Sequence, residues 1–411
     1  MKVLLVNKFN FIKGGADKYF LDLADLLSAR GVKVAKFAMR HPNNLPDKWS
    51  QYWPSGINFD HFQLGNFFKY LSHIFWNREA ARQFEKLLVD FKPDIIHLNN
   101  IYHHLSPSIL PVAKRHGVSV VMHLHDYKLV CPNYKMFARG RIDESAKGGH
   151  YWRCVNKRCI KNSYLKSALA AAEMWLHHKL LKVYENNVDL YIAPSHFMKQ
   201  KMVEWGVPAE KITVLYHFID ARKFKPDWRP GDYWLYFGRL DKEKGVDKLL
   251  QAMVKVKPGQ PLKIVGSGPE YKPLKALAKK LGLGSRVEFV GPKYGDVLKK
   301  IIARAYVVII PSQWYEVFGL VNLEAAALGK FVIAADIGGI PEAVQGKHTA
   351  LLFQPHNVDD LAAKMNWCWT NRRAVAEGGE EAREFVIKNF SPDKHFAGLL
   401  KIYERFTPPR S

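Results

Sequence analysis

Two carboxylates, Glu316 and Glu324, stand with seven residues between them in Pro311-Ser-Gln-Trp-Tyr-Glu-Val-Phe-Gly-Leu-Val-Asn-Leu-Glu324. A carboxylate accepts hydrogen bonds from hydroxyls, and two flanking one bond can act as acid and base. The apolar run Ala305-Tyr-Val-Val-Ile-Ile310 before them reads as a buried parallel strand. Turn residues Pro311 and Ser312 follow, then Gly319 and the helix-forming Glu324-Ala-Ala-Ala-Leu328. Glu316 therefore belongs to the loop past a strand's carboxyl end, the rim where open α/β sheets bind ligands. Glu324 belongs early in the next helix. The plainer alternative is a helix-start carboxylate favoured by the helix dipole, beside an unrelated loop acid.

Other strand-end turns carry chemistry of their own. Gly238-Arg-Leu-Asp-Lys-Glu-Lys244-Gly245 places Arg239 and Lys244 beside a helix start, a combination of two cations and free N–H groups suited to a diphosphate. Gly266-Ser-Gly268 is a second glycine turn, and Gly14-Gly15 follows the first strand; such glycines let backbone approach a ligand or simply make a tight turn. His123-Leu-His125-Asp126 follows a strand, where His125 could donate to a sugar hydroxyl or serve structure alone. Gly338-Gly-Ile-Pro-Glu342 repeats the glycine-plus-acid pattern. The phosphate loop of ATPases, Gly-x-x-x-x-Gly-Lys-Ser/Thr, does not occur.

Alternating strands and helices must position these turns. Strand-like segments at 3–6, 32–37, 94–98, 118–122 and 189–193 are separated by helical stretches such as 17–30. A charged, proline-bearing break at 221–232 reads as a linker. The pattern then restarts at 233–238 and continues through 262–268, 287–291, 307–310 and 331–334. This predicts an α/β protein of two doubly wound parallel-sheet domains facing a central cleft. The expected extents are residues 1–225, residues 231–388, and a last helical segment, 389–411, packing back on the N-terminal domain. The stretch 131–166 departs from the pattern. It carries nine Lys and Arg against Asp143 and Glu144, with Tyr134, Phe137, Tyr151 and Trp152 interleaved. It suits a membrane interface or lipid phosphate, or else is a charged loop.

The 411 residues exceed one ordinary core. The net charge is +24, of which the first 230 residues carry +16. Such a field favours anionic partners, yet no nucleic-acid-binding module is present and no nucleic-acid partner is expected. Apolar stretches are strand-length, short of a membrane span, and the N-terminus reads as a strand rather than a signal peptide. These features predict a cytoplasmic protein with Cys131, Cys154, Cys159 and Cys368 reduced.

In order and over nearly its whole length, the chain resembles the retaining GT-B-fold glycosyltransferases of family 4. The resemblance rests on Glu316 with Glu324, on Gly238-Arg239 with Lys244-Gly245, and on Gly338-Gly339 with Glu342. The Gly14-Gly15-Ala-Asp17 loop and the His125-Asp126 rim complete it. It implies a nucleotide-diphosphate sugar as donor (UDP or GDP), held by Arg239 and Lys244 with no cofactor or metal required. It further implies that Glu324 holds the ribose and that Glu316 contacts the transferred sugar. Backbone of Phe318, Gly319, Leu320 and Val321 would line the sugar and phosphate, and His125 would lie near the reacting carbon. Gly14 and Gly15 would approach the phosphate; Gly266, Gly268 and Lys293 would border the base. The chain has no Asp-x-Asp, in agreement with fixed cations in place of a metal. The implied acceptor is a glycan or lipid-linked intermediate at the inner face of the cell membrane.

Two departures stand out. Asn322 occupies a position more often apolar in relatives. Asp143 and Ala146 stand where a cysteine-richer subgroup has two more cysteines, which leaves Cys131, His150, Cys154 and Cys159 as a possible but nonstandard zinc set. Competing functions are a differently reacting enzyme on the same fold, such as an epimerase, and a non-catalytic module anchored by charge. A phosphorylase would need a pyridoxal lysine, for which the sequence offers no candidate. The donor base, sugar and acceptor depend on loop shape and are not legible.

Overall fold

A computed structural model of the chain describes residues 1–57, 70, 73–229, 231–257, 259–344 and 348–407. Pro230 of the expected linker and residues 408–411 of the expected last segment lie outside the described residues. The chain divides into two compact units. One comprises residues 1–135, 144–215 and 396–411; the other comprises 136–143 and 216–395. The main crossings thus fall at 215/216 and 395/396, where the sequence suggested 225 and 388.

The first unit is built on a six-stranded sheet. Its strands are β1 (Lys2–Val6), β2 (Lys33–Phe37), β3 (Ile95–Leu98) and β4 (Ser119–His123). Past a hairpin of β5 (Phe137–Ala138) and β6 (Arg141–Ile142), grouped with the second unit, come β7 (Leu190–Ala193) and β8 (Ile212–Val214). The order is β2-β1-β3-β4-β7-β8, with every pair parallel. Helices α1 (Gly15–Ala29), α2 (Tyr164–Trp175), α3 (Val183–Asn187) and α4 (His196–Glu204) belong to this unit. β3 and β7 are buried at every residue, the polar His97 of β3 included, which is why neither shows the regular apolar–polar alternation of a one-sided strand.

The second unit repeats the plan with β9 (Trp234–Phe237), β10 (Leu262–Val265), β11 (Val287–Gly291), β12 (Val307–Ile310), β13 (Phe331–Ala335) and β14 (Ala350–Phe353). The order is β11-β10-β9-β12-β13-β14, again all parallel. Helices α5 (Val246–Lys255) and α6 (Leu320–Ala327) leave the turns after β9 and β12. The final helix, α7 (Pro392–Glu404), starts in the second unit and joins the first from Phe396 onward. There the Tyr403 hydroxyl meets Nδ1 of His97, on β3, at 2.6 Å.

The stretch 131–166 is ordered. Within the first unit it buries Cys131, Ala146, Tyr151 and Cys154 while leaving Trp152 and Tyr164 half exposed. Cys154 and Cys159 correct the expectation of four thiols: they are joined as a disulfide, their Cα atoms 5.3 Å apart across the one-turn helix Arg153–Asn156 and the turn after it. That turn supplies the proximity that spacing alone did not reveal. The disulfide also removes two thiolates from the zinc set considered above; Cys131 and Cys368 are buried outside any disulfide.

Burial holds the imidazoles of His104 and His125 down at about 3 and that of His395 at about 4. In the unfolded chain they titrate near 6.5. Below that value the unfolded state binds more protons than the folded one, so stability falls with pH. The melting temperature should therefore decline as pH drops from about 6.5 toward 4. His395→Gln, which can keep a donor on the Tyr216 carbonyl, should remove part of that decline. Thermal melts across this range check the sign; a flat profile between pH 7 and pH 4 would contradict it.

Candidate functional site

The second unit's strand order reverses between β9 and β12, which pair through Val307 with Trp234 and Val308 with Leu235. Chain connections leave these neighbours in opposite directions, so their carboxyl-end loops part and leave a crevice. The loop after β9 carries Arg239 and Lys244, and the loop after β12 carries Glu316. Strand order alone therefore brings together groups more than seventy positions apart in sequence.

The side chains meet closely. Lys244 Nζ lies 2.5 Å from Glu316 Oε1, and the same oxygen accepts from Ser312 Oγ at 2.8 Å. Ser312 and Glu316 are buried. Burial alone would raise the Glu316 carboxyl; the Lys244 ammonium and the Ser312 hydroxyl overcome it and hold the group below its ordinary value. Lys244 Nζ also sits 5.2 Å from the Trp314 ring centroid, a cation–π distance. Arg239 is largely exposed and pairs with Asp241 at 2.7 Å.

Backbone contacts lock the two loops. The Gln313 N–H donates to the Glu243 carbonyl at 2.8 Å. Gly245 caps α5 at φ +68, and a Cβ there would lie 1.9 Å from the Pro311 oxygen, so only glycine fits. Tyr236, on β9, donates its hydroxyl to the Arg239 carbonyl at 2.6 Å. Gly266 packs on the same turn: its Cβ would meet the Gly238 oxygen at 1.8 Å. Gly268 approaches Leu240 similarly. Their glycine character is thus explained by backbone packing between neighbouring turns.

Gly319 caps α6 at φ +85, and its carbonyl accepts from Asn322 Nδ2 at 3.0 Å. The departure at Asn322 is therefore a fully buried side chain that fixes the helix entry. Leu320 and Val321 form the first turn, whose N–H groups have no intrahelical acceptor, and Glu324 follows on the next turn. Phe318 is fully buried, stacked on Tyr216 with centroids 5.4 Å apart; it contributes backbone to the turn and packing to the core. Gly339 N–H donates to the Glu316 carbonyl at 2.7 Å. Lys293 lies past β11 at the sheet's edge and, among the described residues, makes no ion pair with the Lys244–Glu316 group.

In the first unit, Asp17 organises the glycine loop. Its carboxylate accepts from Asn7 Nδ2 at 2.9 Å, from Gly14 N–H at 3.1 Å and from Lys13 N–H at 3.3 Å. Gly14 is extended and caps α1, which Gly15 begins. His125, past the end of β4, has Nε2 2.8 Å from Asn99 Oδ1. An amide oxygen only accepts, so Nε2 carries the hydrogen. The His125 ring stacks on His123 at 4.8 Å and tilts against Tyr19 at 5.2 Å. Burial, reinforced by the charge of Lys8, keeps it neutral at ordinary pH. Such an imidazole can orient a group by hydrogen bonding without contributing a charge.

Sequence reading singled out Lys244 and Glu316, which the structure joins, and missed Ser312, Tyr236 and Asn99. Ser312 looked like a turn residue. Only its position four residues before a buried carboxylate could have signalled it.

The comparisons with known proteins identify the family and the fold. Residues 13–223 match the family model described as Glycosyltransferase Family 4, and residues 220–405 match Glycosyl transferases group 1. A 42.6 kDa protein of the cps region of Klebsiella pneumoniae is 28% identical over 364 residues, covering 83% of this chain and 87% of its own. Glycogen synthase of Mycobacterium tuberculosis is 32% identical over 248 residues, 58% of each chain. Among solved structures, sucrose-phosphate synthase from Thermosynechococcus elongatus superposes with a TM-score of 0.74 at 21% identity, covering 98% of both chains. Anabaena HepE in complex with UDP and glucose gives a TM-score of 0.68 at 20% identity, covering 98% of this chain and 100% of that one. At these identities, the two structural likenesses establish the GT-B fold.

The Lys244–Glu316–Ser312 group is testable as a unit. Lys244→Met should strand the buried carboxylate and cost about 3 kcal/mol. Ser312→Ala should cost about 1 kcal/mol. The pair Lys244→Met with Glu316→Leu should cost less than the sum of its single changes. Denaturant unfolding monitored in the second unit measures all three; strict additivity would show that the contact carries no coupling.

Proposed function

The chain belongs to the family 4 glycosyltransferases, and from that premise we propose that it transfers a sugar, with retention at the anomeric carbon, from a nucleoside diphosphate sugar to a glycan or lipid-linked glycan. The observation that carries this reading is Lys244 bound to a buried Glu316 beside the N-terminus of α6. A diphosphate needs a fixed cation and free N–H groups; a hexose needs a rigid acceptor for its hydroxyls. Both occur within one crevice.

On this reading Lys244 and Arg239 offset charge on the departing diphosphate, while N–H groups of Gly319, Leu320 and Val321 face its β-phosphate and the sugar. Glu316 accepts from sugar hydroxyls, and Glu324 accepts from the ribose. Gly266, Gly268 and Lys293 border the base. Gly14 and Gly15 bring backbone toward the phosphate, and His125 orients the sugar as a neutral donor. The bond from the anomeric carbon to the phosphate oxygen breaks while the acceptor oxygen bonds on the same face. The acceptor proton passes to a phosphate oxygen. Fixed cations do the work a metal does elsewhere, so chelation should leave turnover intact. Anabaena HepE is bound with UDP and UDP-glucose, which supports uridine in preference to guanosine.

The acceptor is proposed to lie at a membrane surface. Support comes from the basic excess in the first 230 residues and from exposed Trp152 and Tyr164 among Arg153, Lys157, Arg158 and Lys161. Among the described residues, no helix is long and apolar enough to cross a membrane. Flotation with anionic liposomes at low salt should carry the protein upward and should fail at high salt; no flotation at low salt would remove the membrane from the proposal.

A thermal-shift screen against UDP, GDP, ADP and TDP should single out UDP through linkage. Lys244→Ala and Glu316→Ala should each lower kcat by roughly 100-fold or more. Unchanged turnover in both would refute their roles. Sugar release or inversion without transfer to any acceptor would favour an epimerase-like enzyme.

A further inference from the structure

The first unit holds a cavity of about 310 Å³ that none of the roles above employs. Its walls come from the amino ends of β7 and β8: Glu185 on α3 precedes β7, while Trp205 and Lys211 lie between α4 and β8. His125 follows the carboxyl end of β4, which runs parallel to β7. Leu129 and Val130, in the loop after β4, and Tyr191 of β7 also line it, and every lining residue belongs to the first unit, whereas the Lys244–Glu316 crevice belongs to the second.

Three features define what it can hold. First, it is cationic. Lys179 lines it, is exposed and makes no ion pair among the described residues; Lys211 lines it too, its Nζ donating to the Glu185 carbonyl at 2.9 Å. Second, the turn at Gly148 places a left-handed residue, φ +75, after the right-handed Lys147. The Lys147 N–H donates to the Glu144 carbonyl at 3.0 Å, so the turn contributes shape and the lysine beside it contributes the charge. The Lys179 ammonium lies over the same turn, where a Cβ on Gly149 would come within 2.7 Å of Nζ. Third, the remaining wall mixes rings with a rigid acceptor. Tyr151 and Trp205 contribute ring surface. Glu185 is held by His178, Nδ1 to Oε1 2.7 Å, and that imidazole is stacked on Tyr184.

A cation-lined turn, a carboxylate that accepts hydroxyls and an aromatic wall together match a sugar ring bearing one negative group. The volume is at the low end for ligand sites, enough for about one such unit and too small for a nucleotide sugar. We propose that this cavity is an accessory binding site for an anionic saccharide unit, a uronate or a phosphosugar, separate from the donor crevice.

The test titrates the full chain, with and without saturating UDP, with glucuronate, glucose 1-phosphate, glucose and inorganic phosphate, following binding calorimetrically. At least one anionic sugar should bind once per chain, and at least tenfold more tightly than either glucose or inorganic phosphate. The arm that binds identifies carboxylate or phosphate as the anionic group. Lys179→Glu should weaken that binding at least tenfold while leaving UDP affinity and transfer rate unchanged. Absence of binding by both anionic sugars overturns the proposal, as does equal binding by inorganic phosphate, or binding indifferent to Lys179→Glu. Loss of the anionic sugar on adding UDP would place it in the donor crevice and also overturn the proposal. A failure of UDP to bind would count against the donor reading alone, since the dependence on Lys179 is read without nucleotide as well.

Discussion

The crevice between β9 and β12 is arranged around the buried charge of Glu316. Glu316 is removed from water, and an isolated carboxylate there would be neutral or would unfold its surroundings. It remains an anion because Lys244 and Ser312 converge on one of its oxygens. That convergence demands that the loops after β9 and β12 lie backbone to backbone. The demand falls on Gly245, where any side chain would strike the Pro311 carbonyl. It continues outward: Gly266 must approach Gly238, and Tyr236 must hold the Arg239 carbonyl from below. The glycines of these turns follow from one ion pair and from the strand reversal that makes it reachable.

In the first unit, hydrogen bonds shape the glycine loop and the rim at His125. Asp17 gathers Asn7 and the N–H groups of Lys13 and Gly14, so the glycine loop is shaped by a carboxylate rather than by its own strain. His125 is kept uncharged and oriented by Asn99. A buried ion pair thus marks the second unit's crevice and a neutral imidazole marks the first unit's rim.

How much was legible depended on whether a contact was local. β7 and β12 were readable because burial on both faces writes a largely apolar run, and β3 reads nearly the same with His97 the one polar residue in it. β8, three residues long, and β14, Ala350-Leu-Leu-Phe353, were missed; both are edge strands only partly buried, and each exists because a neighbouring strand offers an edge. Lys244 and Glu316 were legible as motif residues, but their mutual contact was not, since it depends on strand order. Ser312, Tyr236 and Asn99 escaped because nothing in a Ser, Tyr or Asn announces its partner. The disulfide of Cys154 and Cys159 escaped for a related reason: whether two cysteines five positions apart meet depends on the turn between them.

The pairing of Lys244 with Glu316 also bears on how a donor sugar is discriminated. A diphosphate entering the proposed crevice competes with Glu316 for the ammonium, and each oxygen it gains there is one the carboxylate partly loses. A buried carboxylate deprived of its cation must find other donors, because leaving it unsatisfied costs more than its hydrogen bonds contribute when made. The hydroxyls of a hexose attached to that same diphosphate are donors delivered to the right place. A bare nucleoside diphosphate brings the competing charge without the compensating hydroxyls. On the proposed reading the ion pair would act as a selector, disfavouring the nucleotide alone relative to the nucleotide carrying its sugar, in the way that sites built to hydrogen-bond a hydroxyl reject ligands that lack it.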